Sequence, residues 1–483
     1  MKKVLFSHSY YYQLDSKQWE MGEPFPPLMT ITAAAHLRDN GYEVALFDVA
    51  LRKSEKGLEE VLKQFKPDYF VIFDDGFNWL TKMCLTTMRE AAFRMQKMAK
   101  SYGLTIITCS SDSTDHHEKY LDNGADVVIK GEGEVTLLEL INTLNEGNAI
   151  DDIKGIAYKE GSKIKITPKR PVMQDLDQMP QPAWDLIDVN EYKKIWEFHN
   201  KTHYLNIATT RGCPYKCNWC AKPIYGQRYN SRSPLRVVNE IEYHVKNHQV
   251  IHFWMCDDIF GLKPGWVKEF RDELLKRNLN IKFKIQSRSD LLLKEDNIND
   301  LVDAGLDEVW MGAESGSQKI LDAMDKGITV GQIHESATLI KRKGVKLGLF
   351  IQYGYLGETK DDIKLTIKMI KELVPDYIGI SVSYPLPETK FYDMVKNDLV
   401  GKSNWVDSDD LDMMFKNTYS PAYYKVLHRY THYVFYIEKG FVSIKNILSR
   451  PHKITLNKCK DVLKVIYYAP LAFYKSIQMK KLA

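Results

Sequence analysis

Short apolar runs recur at helix-sized intervals through the first 145 residues: Lys3-Val-Leu-Phe6, Glu43-Val-Ala-Leu-Phe47, Tyr69-Phe-Val-Ile-Phe73, Thr105-Ile-Ile-Thr108 and Ala125-Asp-Val-Val-Ile129. Runs this short are buried strands, and the segments between them, such as Ile31–Asp39 and Val135–Leu144, are the connecting helices. The pattern predicts an open, doubly wound parallel sheet, which binds ligands outside the carboxyl ends of its strands. A second alternation, from about residue 200 to 390, has amphipathic helices at Pro264–Lys276 and Val330–Lys343. Repeated βα units of this kind build a partial (β/α)6 barrel, with right-handed crossovers bringing the strand ends to one rim. Between the two lie a hairpin, Asp151–Tyr158 with Lys163–Ile166, and a proline-marked linker from Pro168 to Pro182. The expected organisation is therefore a sheet domain over 1–147, hairpin and linker over 148–198, a barrel over 199–395 and a helical region over 396–483.

Charge separates the last region from the rest. From Pro421 to Ala483 twelve Lys or Arg face two acids, Glu438 and Asp461, so this segment carries +10 in a chain of net charge +4, and the remainder carries −6. Aromatic residues are interleaved with the cations, among them Tyr433, Tyr436, Phe441, Tyr467, Tyr468 and Phe473. Helices of that composition rest on anionic membrane surfaces, cover an acidic substrate, or cap a barrel with a solvated basic face. No RNA-binding motif accompanies them, so no nucleic-acid partner is expected. A length of 483 residues with 44% hydrophobic content supports several cores. Seven cysteines in such a chain fit a reducing cytoplasm. The apolar run at the amino terminus is too short for a signal peptide, and no stretch approaches the roughly 18 uncharged apolar residues of a membrane span. The expected location is cytoplasmic, with peripheral membrane contact through the basic tail as an option.

The candidate chemistry is concentrated in Thr210-Arg-Gly-Cys-Pro-Tyr-Lys-Cys-Asn-Trp-Cys220. The spacing CxxxCxxC of Cys213, Cys217 and Cys220 matches neither paired CxxC zinc knuckles nor the four-cysteine runs of ferredoxins, both of which close their coordination shell. Three thiolates can hold three irons of a [4Fe–4S] cluster and leave the fourth open. A zinc site completed by a distant ligand is the alternative, since thiolates suit both metals.

With Trp219 before its last cysteine, this loop resembles the signature of the radical S-adenosylmethionine (SAM) enzymes. In that family the open iron chelates SAM, and reduction of the cluster cleaves the sulfonium to a 5′-deoxyadenosyl radical. The resemblance continues through Tyr225–Arg232, the strand Ile251–Met255 ending in Asp257-Asp258, and the segments Lys284–Asp290, Met311–Ser317 and Gln352–Thr359, where Leu356 replaces a usual proline. It implies SAM contacts from Trp219, Asp257, Asp258, Arg288, Glu314, Ser315 and Gly354. Ordinary buried ion pairs are the alternative for Arg288 and Glu314, and capping of the following turn is the alternative for the two aspartates.

The sheet domain resembles the cobalamin-binding domain fused ahead of the barrel in one class of these enzymes. Pro26-Pro27-Leu28 and the turn Gly131-Glu132-Gly133-Glu134 carry the likeness, and they imply cobalamin contacts from Pro27, Leu28, Ser110, Ser111 and Gly131 through Glu134. The first loop reads Ser7-His-Ser-Tyr-Tyr-Tyr12 in place of Asp-x-His-x-x-Gly, so no imidazole ligand to cobalt is expected. Ser110–His117 replaces a Gly-Gly pair, leaving a degenerate, cobalamin-free domain as an alternative. His116 and His117, neighbours in sequence, do not face one way on a helix. Cys84, Cys109, Cys256 and Cys459 lack ligand spacing and read as small hydrophobes or unpaired thiols.

Taken together, the resemblance implies SAM cleavage, hydrogen abstraction from an unactivated substrate position and cobalamin-dependent methyl transfer. It requires an electron donor such as flavodoxin or ferredoxin and a small-molecule, lipid or peptide substrate. The alternatives are a cobalamin-free radical dehydration, cyclisation or rearrangement, and a non-enzymatic iron–sulfur or cobalamin sensor.

Overall fold

The computed structural model describes residues 1–76, 86–220, 222, 224–399, 413–449 and 455–482; Cys84 lies outside them. The chain forms two compact units. The first comprises Met1–Pro214 and Lys222–Ile285, and the second residues 215–220, 286–399, 413–449 and 455–482.

The first unit opens with the strands β1 (Lys3–Ser7), β2 (Glu43–Phe47), β3 (Tyr69–Phe73), β4 (Thr105–Cys109) and β5 (Val127–Ile129). They pair in parallel in the order 2-1-3-4-5, the expected doubly wound topology, with its crevice at the carboxyl ends where the order reverses. Every residue of β3 is buried, because helices cover both faces of such a sheet and a continuous apolar run results. Met29, Ala33 and Leu37 of the helix Leu28–Asp39, with Leu137, Leu140 and Ile141 of the helix Glu134–Asn145, share one core with Val4, Val71, Ile107 and Ile129.

The hairpin β6 (Ile156–Glu160) and β7 (Lys163–Ile166) adds two antiparallel strands to β5, so the sheet continues beyond residue 147 to Ile166. The apolar residues Ile156 and Ala157 are buried against β5, and β7 closes the edge with Lys163 and Lys165. The first half of the barrel follows within the same unit, apart from the last two residues of its final strand. It consists of β8 (Leu205–Ile207), β9 (Thr210–Arg211), β10 (Asn230–Ser231), β11 (His252–Met255) and β12 (Lys282–Ser287). Strands β8, β11 and β12 are parallel, and the short antiparallel pair β9–β10 closes the base of the loop that carries the cysteines.

In the second unit β13 (Leu306–Glu314), β14 (Lys346–Tyr353) and β15 (Tyr377–Val382) are parallel neighbours. Capping boxes at Thr329/Gln332 and Thr359/Asp362 start the helices Val330–Arg342 and Lys360–Leu373. The tail folds as two long helices, Pro421–Ser449 and Leu456–Leu482. The first packs on β14 through a Tyr353–Thr431 hydroxyl contact of 3.1 Å and on the helix Lys360–Leu373 through a Lys371–Glu438 ion pair of 3.2 Å. The second runs antiparallel to it, with Tyr468 stacked on Tyr433 and Tyr436 at ring separations of 5.1 and 5.0 Å. Gly440 is required at this crossing, because a Cβ there would collide with Val465.

Candidate functional site

The carboxyl ends of the amino-terminal sheet gather most of the residues expected to hold cobalamin. Pro27 precedes the helix Leu28–Asp39 and its carbonyl accepts from the Ile31 amide. After β4, Ser110 and Ser113 form a reciprocal capping box that starts a short helix, turning the Ser110 hydroxyl inward. The Ser111 hydroxyl is buried with no hydrogen-bond partner. After β5, Gly131 adopts φ +87°, a conformation only glycine takes without strain, and a Cβ on Gly133 would lie 2.5 Å from Cys109 Sγ. His8, in the first loop, directs Nε2 to Asp48 Oδ1 at 2.9 Å.

Both glutamates of the Gly-Glu-Gly-Glu turn meet Arg211, two residues before the first cysteine of the motif. Arg211 Nη1 donates to Glu132 Oε1 and Nη2 to Glu134 Oε1, each at 2.6 Å, and all three side chains are less than a tenth exposed. Burial opposes the guanidinium charge, but Glu134 and Glu132 outweigh it and hold the Arg211 pKa above its ordinary value. Burial also lifts the Glu132 carboxyl, against the pull of Arg211. Glu132 further accepts from the Met173 amide at 2.5 Å, while Glu134 Oε2 is buried with no partner. Leu28, Thr210 and Arg211 line one narrow cavity of about 30 Å³.

The other flank of the cysteine loop is anchored in the same place. Ile224 and Tyr225 belong to the core of the sheet domain, where Tyr225 donates to Met29 Sδ at 3.0 Å and its ring lies 5.4 Å from the Arg211 guanidinium carbon. Gly212, at φ +80°, leaves no room for a Cβ beside the Arg228 carbonyl. Adjacent to this flank, a cavity of about 510 Å³ opens between residues 169–174 and 225–230, a volume in the range of ligand sites.

At the end of β11, Asp257 is buried and faces backward. Its carboxylate accepts from the amides of Thr209 and Thr210 at 2.7 and 2.8 Å and from the Thr209 hydroxyl. Burial raises its pKa to about 7, against those hydrogen bonds. Asp257 thus braces the strand end that leads into the cysteine loop, whereas Asp258 is exposed.

In the second unit Arg288 follows β12 and lies flat over Tyr215, 3.7 Å from its ring centre. Its Nη1 stands 3.9 Å from Cys217 Sγ, Nε donates to Asp290 at 3.0 Å, and Nη2 donates to the Lys326 carbonyl at 2.9 Å. Cys217 and Cys220 are half-buried, as is Cys213 in the first unit. The Trp219 indole N–H is buried with no partner.

Glu314, at the end of β13, adopts φ +59° and pairs with Lys326 at 2.8 Å, both side chains 7% exposed. Burial opposes the ammonium charge, and Glu314 outweighs it, with Cys217 adding to the pull, so the Lys326 pKa is raised. Gly312 makes room for this pair, since a Cβ there would lie 2.8 Å from Lys326 Nζ and 2.9 Å from Glu314 Oε1. Ser315 is fully buried, its hydroxyl 3.1 Å from Thr366 Oγ1 and accepting from the Ser317 amide. Gly354, at φ +76°, donates its amide to Glu358 Oε2 at 2.7 Å. Burial raises the Glu358 carboxyl to about 8.

Arg211, Lys326, Tyr215 and Glu358 are the residues that sequence reasoning missed. Arg211 stands inside the cysteine motif, and its partners lie 79 and 77 positions away. Lys326, in a loop, has no periodic signal at all. Among the described residues no three His, Cys, Asp or Glu side chains are grouped as ligands of a single metal ion.

The family model of the radical SAM superfamily matches residues 207–396, from the end of β8 through β15. This chain carries a radical SAM domain. PH0819 of Pyrococcus horikoshii, named an uncharacterized methyltransferase, is 27% identical over 463 residues, covering 93% of this chain and 96% of its own. The anaerobic magnesium-protoporphyrin IX monomethyl ester cyclase of Rubrivivax gelatinosus is 28% identical over 396 residues, covering 80% and 68%. Among solved structures, the radical SAM methyltransferase TsrM of Kitasatospora setae, with cobalamin and a [4Fe–4S] cluster bound, superposes with a TM-score of 0.69. Identity is 18%, and the match covers 82% of this chain and 78% of TsrM. The expected fold is therefore present: a radical SAM domain behind an amino-terminal parallel sheet, as in a cobalamin-bound methyltransferase. No described helix is long and apolar enough to cross a membrane.

Proposed function

We propose that this radical SAM enzyme cleaves SAM reductively at a [4Fe–4S] cluster held by Cys213, Cys217 and Cys220, abstracts hydrogen from an unactivated substrate position, and transfers a methyl group with the aid of cobalamin. The observation that carries the reading is the attachment of the cysteine loop, at both ends, to the carboxyl edge of the amino-terminal sheet. Arg211 binds the Gly-Glu-Gly-Glu turn on one side, and Ile224 and Tyr225 enter the sheet's core on the other. A sheet serving only as scaffold has no need to fasten its ligand-binding edge to the cluster loop.

The donor sets fit the groups they would hold. Three half-buried thiols suit three irons, and the guanidinium of Arg288 beside Cys217 stabilises an anionic ligand. The fourth iron would be left to chelate SAM, whose cleavage supplies a carbon radical oxidant. At the sheet edge the unpartnered Ser111 hydroxyl, the Glu134 carboxylate and the glycine backbone of the turn suit a ligand bordered by amides. Cobalamin there would supply methyl transfer to a carbon radical, which polar methyl donors cannot reach. His8 is engaged with Asp48, so it would not be offered to cobalt as an imidazole ligand. Asp257 and the Glu314–Lys326 pair hold the strand ends that present the SAM contacts, and Trp219 brings an unpartnered indole N–H beside the cysteines.

The identity to a cyclase favours one second reading, radical cyclisation within the same scaffold. The test is anaerobic reduction of the reconstituted protein with SAM. Release of 5′-deoxyadenosine that is lost in Cys217→Ala supports the shared first step, and its absence in the parent protein overturns both readings. Methyl labelling from SAM in the product then separates transfer from cyclisation.

A further inference from the structure

The second tail helix has two opposite faces, and among the described residues only one of them is packed against another element. Val465, Tyr468 and Ala472 turn toward the first tail helix. On the other side Leu463, Ile466, Tyr467, Phe473, Tyr474 and Ile477 stand between 38% and 72% exposed. At intervals of three, four and seven residues they fall in one stripe, about 120° wide at 100° per residue. Lys460, Lys464 and Lys475 border the stripe on one flank, and Lys458 and Lys480 on the other. Apolar residues of this size, exposed in series, are unusual on a protein that meets only water.

We propose that this stripe lies in the surface of an anionic lipid bilayer, with the helix parallel to the membrane plane. Charge selects the occupant. A second copy would oppose like-charged lysine borders across the same apolar seam, whereas anionic headgroups neutralise them. A nucleic acid would be met by cations along the centre of the face, and here the centre is apolar from Leu463 to Ile477, with Lys481 only at its carboxyl end. The rest of the chain is acidic, at −6 against +10 for the tail, so attraction and repulsion together turn this face toward the lipid. From Leu463 to Ile477 the stripe is roughly 22 Å long at 1.5 Å per residue, longer than a single side-chain pocket would accept. Lysines beside an apolar stripe extend their charged ends to the headgroups while their stems remain on the apolar side. This inference does not depend on the proposed chemistry.

The full-length protein, purified anaerobically, is sedimented with vesicles of phosphatidylcholine alone and with vesicles containing one third phosphatidylglycerol. Binding to the anionic vesicles, at least about tenfold stronger than to neutral ones and reduced by salt, is expected. The paired substitution Ile466→Asp with Phe473→Asp should abolish it, with far-UV circular dichroism and cluster content unchanged. If that variant does not fold, replacement of Lys458, Lys460 and Lys480 by Gln should weaken binding about tenfold or more, while sparing the packed face. Failure of the parent protein to bind anionic vesicles would overturn the proposal. So would a concentration-dependent dimer sealed through the stripe, or binding to RNA in place of lipid.

Discussion

Replacing Arg211 with Met is the sharpest test of how the cluster loop is held. The substitution keeps most of the volume and removes one buried cation from two buried carboxylates, each 2.6 Å away. Breaking a buried pair by deleting one partner costs about 3–5 kcal/mol, because the remaining charge has neither water nor partner. The structure also sets a ceiling. A carboxyl of ordinary pKa 4.5 can be neutralised at pH 7 for about 3.4 kcal/mol, so two such groups limit the loss to roughly 7 kcal/mol. A loss of 3–5 kcal/mol lowers the unfolding midpoint of a unit this size by on the order of 5–10 °C. The loss should be larger at pH 8 than at pH 5.5, since the folded variant retains protons that the unfolded chain has already released above about pH 4.5. Thermal unfolding of the cluster-free protein, followed by far-UV circular dichroism at both pH values, measures it. Adding Glu132→Gln and Glu134→Gln should recover much of the stability, because the uncompensated charges are then gone. A midpoint for Arg211→Met within about 1 °C of the parent at both pH values would refute the reasoning.

Three further substitutions follow from the second unit. Glu358 carries a carboxyl raised to about 8 by burial, so the folded state holds a proton that the unfolded state has lost above about 4.5; stability should fall as pH rises from 4.5 to 8 and level off above. Glu358→Gln keeps an acceptor for the Gly354 amide, and unfolding midpoints at pH 5.5 and 8.5 should show that slope diminished and the variant more stable than the parent at the higher pH. Gly312→Ala should lower the midpoint by several degrees, because its Cβ enters the Glu314–Lys326 pair, whereas Gly331→Ala, whose Cβ would meet only Thr329 Oγ1 at an ordinary 3.7 Å, should be neutral or stabilising by about 0.5–1 kcal/mol. Arg288→Leu removes a cation 3.9 Å from Cys217 Sγ, and a redox titration followed by paramagnetic resonance should find the cluster harder to reduce by about 60 mV or more.

What the chain discloses before folding is what periodicity and spacing can encode. The runs at Glu43–Phe47 and Tyr69–Phe73 are strands at the expected residues because each is short, apolar and bounded by polar breaks. Val330–Arg342 starts where Thr329 can cap it. The hairpin at Ile156–Ile166 was visible as a hairpin, but its attachment to β5 was not, because strand pairing depends on which edge is open in three dimensions. Asp257 was placed correctly at a strand end, while its direction was not accessible to pattern: it turns back to Thr209 and Thr210 instead of capping the turn ahead. Glu314 is in a buried ion pair, as one reading allowed, yet with Lys326, a loop residue that no period marks. Arg211 was in view inside the cysteine motif, and its role emerged only when the fold brought Glu132 and Glu134 to it.

The central claim is that the amino-terminal sheet serves the radical SAM chemistry as a cofactor site. The most direct measurement is the cobalamin content of the full-length protein after anaerobic reconstitution with iron, sulfide and hydroxocobalamin and passage through gel filtration. Near-stoichiometric cobalamin is predicted, with a cobalt(II) resonance lacking histidine nitrogen coupling, since His8 is engaged with Asp48. An intact cluster that cleaves SAM while retaining no cobalamin would contradict the claim.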